Sequence, residues 1–559
     1  MIKHLYTPYG ENFDKNLPLK EYPRPRLQRD NWINLNGTWD FFTTNGCDKT
    51  GKITVPYCVE SLLSGINETF EKGTVFNYER TFFIDEDLSG KRVILHFGAV
   101  DQIAEVYING LFVGKHEGIL PFSFDVTDYV GKENLIKVIV KDDLIHKLPW
   151  GKQKVKRGGM WYTPVSGIWQ TVWLEVVPDK YIKDVQVVCD KNQVTVNVDG
   201  VEDGKVIFEK KEYDLIDGKT SFSVEFPEYW SPETPRLYYF TVVSGEDKVE
   251  SYFALRTLEV KTINGKKRLC LNGQPYFFHG LLDQGYYSDG IYTPADEQCV
   301  RDDILKMKRL GFNTLRKHIK VEPERFYYEC DRLGMIVFQD MVNCGDYSFF
   351  GDTVLPTVGV IKRNDIKKHK DKETRDNFIK FAKKTVNLLK NHPCICYWTI
   401  FNEGWGQFCA DELYDIIKNE DSTRFIDSTS GWFKRNKSDV ESLHIYFKKL
   451  KIGKDDKPQV LSEFGGYSYK SEGHSANEKK TYGYRKFTDL NEFKKAVFSL
   501  YNNEVLPLVK KGLCAAIYTQ LSDVEDETNG ILTYDRKVQK IEKEEFFEIS
   551  QKLKNAVLE

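Results

Sequence analysis

Short stretches of alternating apolar and polar residues fill the first part of the chain. Over residues 1–178, runs such as Arg92–Phe97 and Asn134–Val140 alternate in this way, and turn sequences separate them. No long window shows a helical period, so we predict a jelly-roll β-sandwich for residues 1–178. Smaller strands of the same style over residues 179–257 predict an immunoglobulin-like β-sandwich without disulfides.

The pattern changes at residue 258, where strand-like runs begin to alternate with long amphipathic helices. Apolar residues at three- and four-residue steps predict helices such as Asp296–Leu310, Glu324–Leu333, Lys372–Lys390 and Glu492–Lys511. The strand-like runs are Tyr276–His279, Phe312–His318, Met335–Asp340, Cys394–Asn402, Arg424–Thr429, Leu443–Tyr446, Gln459–Glu463 and Cys514–Gln520. Eight strands with intervening helices predict a C-terminal (β/α)8 TIM barrel over residues 258–559.

Two glutamates stand at the ends of predicted barrel strands. Glu403 follows the fourth strand and Glu463 ends the seventh. Active sites of such barrels lie at the carboxyl ends of the strands, so both side chains can point into one cleft. Two carboxylates about 5 Å apart are what a retaining glycosidase needs, one as acid/base and one as nucleophile. The alternative is structural, with each glutamate capping a helix or pairing with an arginine.

Composition narrows the class of protein. The 559 residues, with 41% hydrophobic residues, predict about three or four domains. A net charge of −3 gives no sign of a nucleic-acid or membrane partner, and no apolar run reaches the roughly 18 residues of a transmembrane helix. The 11 cysteines show no paired spacing and the first residues show no signal sequence, so we predict a cytoplasmic protein without a metal site or cofactor.

Several further segments carry a family resemblance. They are Trp32–Trp39, Phe97–Gly110, Gly167–Trp173, Trp230–Tyr238 and Leu271–Pro275, followed by the Asn402-Glu403 pair. Taken together, they make nearly the whole chain resemble glycoside hydrolase family 2, the group of β-galactosidases, β-glucuronidases and β-mannosidases. The resemblance implies an exo-acting retaining glycosidase with a carbohydrate substrate, and it leaves a homo-oligomer open.

The resemblance also implies roles for individual residues. Glu403 matches the general acid/base and Glu463 the nucleophile. Asn402 matches the residue that binds the sugar 2-hydroxyl, Arg316 an arginine behind the nucleophile, and Tyr446 a tyrosine that hydrogen-bonds it. The physics agrees with this division, because a general acid needs a raised pKa and a nearby arginine keeps a nucleophile ionised. An ordinary ion pair for Arg316 and a core position for Tyr446 are the structural alternatives.

Other polar and aromatic residues near the predicted strand ends are candidates for substrate contact. Asp283 could accept a sugar hydroxyl, and His318 stands one position from where the family often has a histidine. Trp405 and Trp432 could stack on a sugar ring or simply pack at the rim. The complete set of predicted substrate-binding residues is Asn402, Arg316, Tyr446, Asp283, His318, Trp405, Trp432, His444 and Tyr518.

Departures from the family pattern bear on the sugar. A β-glucuronidase should carry an Asn-x-Lys pair near strand eight, whereas residues 526–531 here read Asp-Glu-Thr-Asn-Gly-Ile. We therefore expect a neutral sugar, with a β-galactoside first, and we expect most of the acidic run Asp523–Glu527 to be a solvated loop. A pentoside, a furanoside or a β-glucuronide is the alternative substrate. A carbohydrate-binding protein without catalysis is a further alternative, although both glutamates are present.

Overall fold

Antiparallel strands build the first part of the molecule, as the sequence predicts. The computed structural model describes residues 3–46, 48–360, 363–453 and 456–559. One sheet of the N-terminal sandwich pairs Trp32–Asn34, Val172–Pro178, Lys91–Phe97 and Phe122–Asp125 in that order. The facing sheet has the order Thr50–Val55, Gly37–Thr44, Val75–Phe83, Glu133–Lys141, Ile103–Ile108 and Leu111–Glu117, and Val100–Asp101 pairs with Gly167–Ile168. The alternating side chains Ile136, Val138 and Val140 are fully buried between the sheets.

A smaller sandwich follows. Its sheets contain the strands Asp184–Asp190, Gln193–Asp199 and Lys219–Ser223, and the strands Lys211–Leu215, Gly204–Phe208, Tyr238–Ser244 and Asp247–Phe253. A three-stranded sheet of Leu258–Ile263, Lys266–Leu271 and Gln274–Pro275 then leads into the last domain. Trp230 is fully buried, and its indole N–H donates to the Asp331 carbonyl at 2.8 Å, which joins the second sandwich to a barrel helix.

Eight parallel strands form the predicted barrel. Barrel strands 1 to 8 are Phe278–Asp283, Thr314–Lys317, Ile336–Asp340, Ile395–Asn402, Phe425–Ser430, Glu441–Ile445, Gln459–Gly465 and Leu513–Thr519, in the spatial order 5-4-3-2-1-8-7-6. The α-helices are Glu297–Leu310, Glu324–Leu333, Leu355–Thr357, Lys372–Leu389, Ala410–Glu420, Leu490–Leu500, Leu506–Lys511 and Lys543–Ala556. The remaining elements are 3-10 helices at Gly10–Asn12, Pro25–Leu27 and Thr127–Tyr129, π-helices at Phe349–Val354 and Tyr501–Val505, and short strands at Tyr467–Tyr469 and Arg485–Phe487. The predicted fold class, two sandwiches and a TIM barrel, is confirmed.

Two predicted elements differ from the structure in detail. Barrel strand 1 was expected to end before Gly280, but it continues through this glycine to Asp283. A Cβ atom at Gly280 would lie 2.6 Å from Ile517, so the glycine permits close strand packing and does not break the strand. The predicted helix Glu492–Lys511 is divided by a π-helical turn, because Pro507 has no N–H to donate within a continuous α-helix.

Side chains join the two edges of the barrel sheet. Among the described residues no backbone ladder links barrel strands 5 and 6. Instead, Ser430 Oγ lies 3.1 Å from His444 Nε2, and Ser442 Oγ donates to the Thr429 carbonyl at 3.5 Å. Within the described ranges, no helix combines the length and apolar character that crossing a bilayer requires.

Candidate active site

The two predicted glutamates meet at the carboxyl ends of their strands. Glu463 lies in barrel strand 7 opposite His444 of strand 6, and Glu403 follows the last residue of strand 4. One carboxylate oxygen of each glutamate and one ring nitrogen of His444 lie within 4.8 Å of one another. Both glutamates are buried. The barrel therefore brings together two carboxylates that are far apart in sequence.

The backbone turns sharply at Glu403. This residue has φ 52°, in the left-handed region that non-glycine residues rarely adopt, and its N–H donates to the Ser430 carbonyl at 3.0 Å. Gly404 follows at φ 77°, where a Cβ atom would lie 2.3 Å from the Phe433 ring. The chain thus leaves strand 4 in a conformation that only glycine permits at this second position.

Arg316 is the centre of the polar network below the glutamates. Its fully buried guanidinium donates from Nε and Nη2 to Asp340 at 3.0 and 3.1 Å, and from Nη1 to Glu463 Oε1 at 3.0 Å. Nη2 also donates to Asn402 Oδ1 at 2.8 Å. One side chain thereby fixes three residues that come from barrel strands 3, 4 and 7.

Glu463 is held in its ionised form. Burial alone would raise the pKa of this carboxyl, but the charges of His444 and Arg316 and a hydrogen bond donated by Tyr446 lower the pKa to about 2. The Tyr446 ring stacks on Tyr484 with the ring centroids 3.7 Å apart, which fixes the position of its hydroxyl. At neutral pH Glu463 is an anion with ordered donors around it.

Glu403 has the opposite tendency. Burial raises its pKa and the charge of Glu463 adds to this, although a 2.8 Å hydrogen bond from His444 Nδ1 and the charge of Lys152 act against them. Two carboxyls in contact with the same histidine therefore have pKa values shifted in opposite directions. Such a divergence separates a proton donor from a permanent anion.

Free hydrogen-bond donors line the same cleft. Because Asn402 Oδ1 is taken by Arg316, its Nδ2 faces the other way, and it is buried with no partner within the described ranges. The indole Nε1 of Trp405 is also buried, and no described residue accepts a hydrogen bond from it. Buried donors without partners are expensive, and a bound ligand can satisfy them.

The predicted residues His318, Trp405 and Trp432 lie around the pair of glutamates. His318 Nδ1 is 2.8 Å from Asp340 Oδ2 and 4.0 Å from Glu463 Oε1, and burial lowers the pKa of this histidine to about 4. The rings of His318 and Trp405 are 6.5 Å apart, and half-buried Trp432 lies 6.3 Å from the His444 ring. Substrate contact by these three residues stays a prediction.

Asp283 and Tyr518 are not placed in this way. Asp283 lies opposite Lys317 in the strand register and accepts from its Nζ at 2.5 Å and from the Gly285 N–H at 2.9 Å. Side chains alternate along a strand, so Lys317 and Asp283 face the helices while Arg316 faces the cleft. Tyr518 packs between Phe464 and Tyr501, on the outer side of the barrel sheet. The geometry of both residues therefore argues against the predicted sugar contact.

The acidic run near strand eight is buried, so the expectation of a solvated loop is wrong. Asp523 pairs with Lys540 at 2.6 Å, and Arg157 lies 3.2 Å from Glu525 and 3.0 Å from Asp526. Glu527 accepts from the Tyr162 hydroxyl at 3.0 Å and from Gln520 Nε2 at 2.7 Å. These acidic residues are therefore buried at the boundary between the N-terminal sandwich and the barrel, where basic residues neutralise most of them.

Sequence reasoning missed Asp340 and Lys152. Asp340 ends a buried strand just as the two glutamates do, so the same signal could have identified it. Lys152 comes from the N-terminal sandwich, and Trp161 of the same loop stacks on Trp405 at 5.3 Å between ring centroids. No local pattern marks a lysine that reaches a site in another domain.

The group Glu403, His444 and Glu463 also has the spacing of a possible metal site. Arg316 already places a positive charge 3.0 Å from Glu463 Oε1, and Tyr446 donates to its other oxygen. These contacts use the lone pairs that an ion would need, so the donor set suits an ionised carboxylate better than a metal ligand.

Comparison with known families and proteins follows the same three parts of the chain. Residues 25–178 match the sugar binding domain of glycosyl hydrolases family 2, residues 175–256 match a second model of glycosyl hydrolases family 2, and residues 262–544 match its TIM barrel domain. A β-galactosidase of Thermoanaerobacter pseudethanolicus is 30% identical over 361 residues, which are 58% of this chain and 44% of that protein. A putative β-glucuronidase of Formosa agariphila is 26% identical over 75% of this chain and 40% of its own length.

Solved structures resemble nearly the whole chain. A β-D-glucuronidase of Dictyoglomus thermophilum superposes with a TM-score of 0.73 at 18% identity, covering 96% of this chain and 98% of the other. A β-galacturonidase of Eisenbergiella tayi, solved with galacturonate, gives a TM-score of 0.69 at 18% identity over 96% and 99%. At this identity the likeness concerns the fold. The chain spans less than half the length of the two curated relatives named above.

Replacing Arg316 by Met should destabilise the barrel strongly. The change leaves Asp340 and Glu463 buried without their counter-charge, which costs about 3–5 kcal/mol for a buried pair that loses one partner. Thermal unfolding of the purified variant measures the loss. Arg92, a surface residue whose side chain is 41% exposed and pairs with Asp125, is the control, and R92M should change stability far less than R316M. Equal shifts for the two variants would contradict the central role of Arg316.

Proposed function

Because the chain belongs to glycosyl hydrolases family 2, we propose that it hydrolyses β-glycosides with retention of configuration at the anomeric carbon. The observation that carries this proposal is the pair Glu403 and Glu463. Their nearest carboxylate oxygens lie within 4.8 Å of each other, and their pKa values are shifted in opposite directions. A separation of about 5 Å suits direct attack by one carboxylate and leaves no room for a water between the two.

In the first step Glu463 attacks the anomeric carbon. A bond forms between its oxygen and C1 while the bond from C1 to the glycosidic oxygen breaks, and Glu403 gives its proton to that departing oxygen. Arg316 and Tyr446 keep Glu463 ionised and oriented before the attack. The free Nδ2 of Asn402 is suited to donate to the sugar 2-hydroxyl, as the family resemblance implies.

In the second step Glu403 acts as the base. Having lost its proton, it takes one from a water molecule, whose oxygen bonds to C1 as the ester bond to Glu463 breaks. Both glutamates thereby return to their starting states, and the sugar leaves with its original anomeric configuration. The scheme uses no metal ion and no cofactor. The sequence-based prediction that the protein needs neither therefore stays a prediction.

For the sugar we propose a neutral glycone, with a β-galactoside first. The β-galactosidase of Thermoanaerobacter pseudethanolicus supports this choice, and so does the buried carboxyl of Glu527, whose charge acts on Glu463. A uronic acid would bring a further carboxylate close to the carboxyl groups of Glu463 and Glu527. A pentoside, a furanoside and a β-glucuronide stay as alternatives for the same mechanism.

The stereochemistry of the first product tests the proposal. We expect hydrolysis of the best substrate among p-nitrophenyl β-galactoside, β-glucoside, β-xyloside and β-glucuronide to release the β-anomer first. Proton NMR in early turnover distinguishes it from the α-anomer before mutarotation. Initial release of the α-anomer would exclude a glycosyl-enzyme intermediate, and turnover of no glycoside in this panel would contradict the proposed function itself.

Glu463 should carry the covalent intermediate. Replacing it by Gln should remove nearly all turnover, because the amide cannot form the ester bond, while the protein stays folded because Asp340 still pairs with Arg316. A 2-fluoroglycoside of the best substrate should label the wild-type protein at Glu463, as peptide mass spectrometry will report. Labelling at Glu403 would reverse the assigned roles.

Glu403 should behave as a general acid in the first step and a base in the second. For E403A we expect a loss of about 10²–10⁴-fold with poor leaving groups and a much smaller loss of the first step with activated phenols. Added azide should attack C1 of the intermediate, free Glu463 and yield the β-glycosyl azide. A loss that is the same for every leaving group would contradict this role.

A further inference from the structure

One buried lysine of the N-terminal sandwich makes no direct ion pair with any residue that the structure describes. Lys152 lies in the loop of residues 142–166, between the strands Glu133–Lys141 and Gly167–Ile168, and only 7% of its surface is exposed. Its carbonyl accepts from the Tyr162 N–H at 2.9 Å, which fixes its backbone. Across the described ranges, no carboxylate lies within 4.0 Å of its Nζ and no hydrogen-bond acceptor binds it.

Aromatic rings position the ammonium group of Lys152. Its Nζ lies 5.3 Å from the centroid of the Tyr162 ring and 5.9 Å from that of Trp405, two residues after Glu403. These faces attract a cation but accept no ordinary hydrogen bond from it. Three N–H donors of the ammonium therefore remain for a ligand in the cleft.

Glu527 provides a complementary acceptor beside this lysine. Its Oε2 accepts from the Tyr162 hydroxyl and from Gln520, whereas no described residue donates to its Oε1. Tyr162 thus has the ammonium group of Lys152 over its ring face and the carboxyl group of Glu527 at its hydroxyl.

Lys152 and Glu527 interact electrostatically with each other and with the reacting carboxylates. Burial raises the pKa of Glu527, and the charge of Lys152 lowers it. The charge of Lys152 is felt by Glu403 and His318, and the charge of Glu527 by Glu463. The other acidic residues of the run do not compete for the lysine, since Asp523 is paired with Lys540 and Asp526 with Arg157. Among the described residues of the loop 142–166 and of the run Asp523–Glu527, Lys152 and Glu527 are therefore charged groups that a sugar could bind.

We propose that Lys152 and Glu527 bind two neighbouring hydroxyl groups of the non-reducing sugar, with Lys152 donating and Glu527 accepting, and thereby select neutral glycones. Each hydroxyl is both a donor and an acceptor, so a vicinal pair can satisfy both residues at once. A carboxylate on the sugar would satisfy Lys152 but would lie against Glu527. This inference rests on the proposed β-glycosidase function, and it makes the sandwich a part of the sugar subsite.

Deoxy substrates combined with substitutions test the contact. The probes are the p-nitrophenyl glycoside that the wild-type protein hydrolyses best and its analogues that lack one hydroxyl each. K152M should lower kcat/KM for the parent sugar by about 10–100-fold, the size of a lost hydrogen bond to a charged group. Removing the hydroxyl that Lys152 contacts should cost the wild type a similar factor and should cost K152M little more. E527Q should show the same non-additivity with the adjacent hydroxyl.

Matched controls separate recognition from folding. Lys154 belongs to the same loop, is exposed and lies over Trp161, so K154M should leave every kcat/KM close to that of the wild type. K152R keeps the charge and should retain more activity than K152M. Thermal midpoints of all variants show whether the fold survives, and if K152M unfolds, K152R with the deoxy series carries the test.

Three results would overturn the inference. Additive losses for K152M at every deoxy position would show that Lys152 touches no hydroxyl. Additive losses for E527Q would remove the acceptor from the contact. A K152M variant that keeps activity on neutral glycosides but loses it on a β-glucuronide would show that the lysine binds a carboxylate. In each of these cases the proposed function still holds as long as the wild-type protein hydrolyses a β-glycoside.

Discussion

A single buried guanidinium holds the active-site end of the barrel together. Arg316 binds Asp340, Asn402 and Glu463, so strands 2, 3, 4 and 7 share one charge at their carboxyl ends. Burying that charge is costly by itself, and the nearby anions raise the pKa of Arg316 and keep it positive. The pKa of Glu463 and the orientation of Asn402 both follow from this contact. Together with His444 and Tyr446, Arg316 lowers the pKa of Glu463, while burial raises the pKa of Glu403.

The sequence predicted the architecture well because period and length are local signals. All eight barrel strands and both sandwiches follow from alternation and spacing, and Glu403 and Glu463 follow from a carboxylate after a buried run. Asp283 met the same criterion, but only the strand register reveals that it lies opposite Lys317 and faces the helices. Tyr518 likewise packs against Phe464 and Tyr501. Which face of a strand a residue occupies depends on partners that lie far away in sequence.

Charge composition was a poorer guide than hydrophobic pattern. The run Asp523–Glu527 looked like a solvated loop, yet Lys540 and Arg157 neutralise most of it within the structure. Arg157 lies in the N-terminal sandwich, more than 300 positions earlier in the chain. Such pairing between domains leaves no trace in a local window. Glu527 differs from its neighbours because its hydrogen-bond partners, Tyr162 and Gln520, carry no charge.

The stack of Trp161 on Trp405 ties the sandwich to the residues around Glu403. The loop that carries Trp161 and Lys152 packs on Trp405 of the barrel, so substitutions in the loop affect the packing of the barrel residue. If Lys152 binds the sugar as proposed, recombination that replaced the N-terminal domain with that of a relative would exchange part of the sugar subsite as well as a structural module. A change in substrate preference would then require matched substitutions in the N-terminal sandwich and in the barrel.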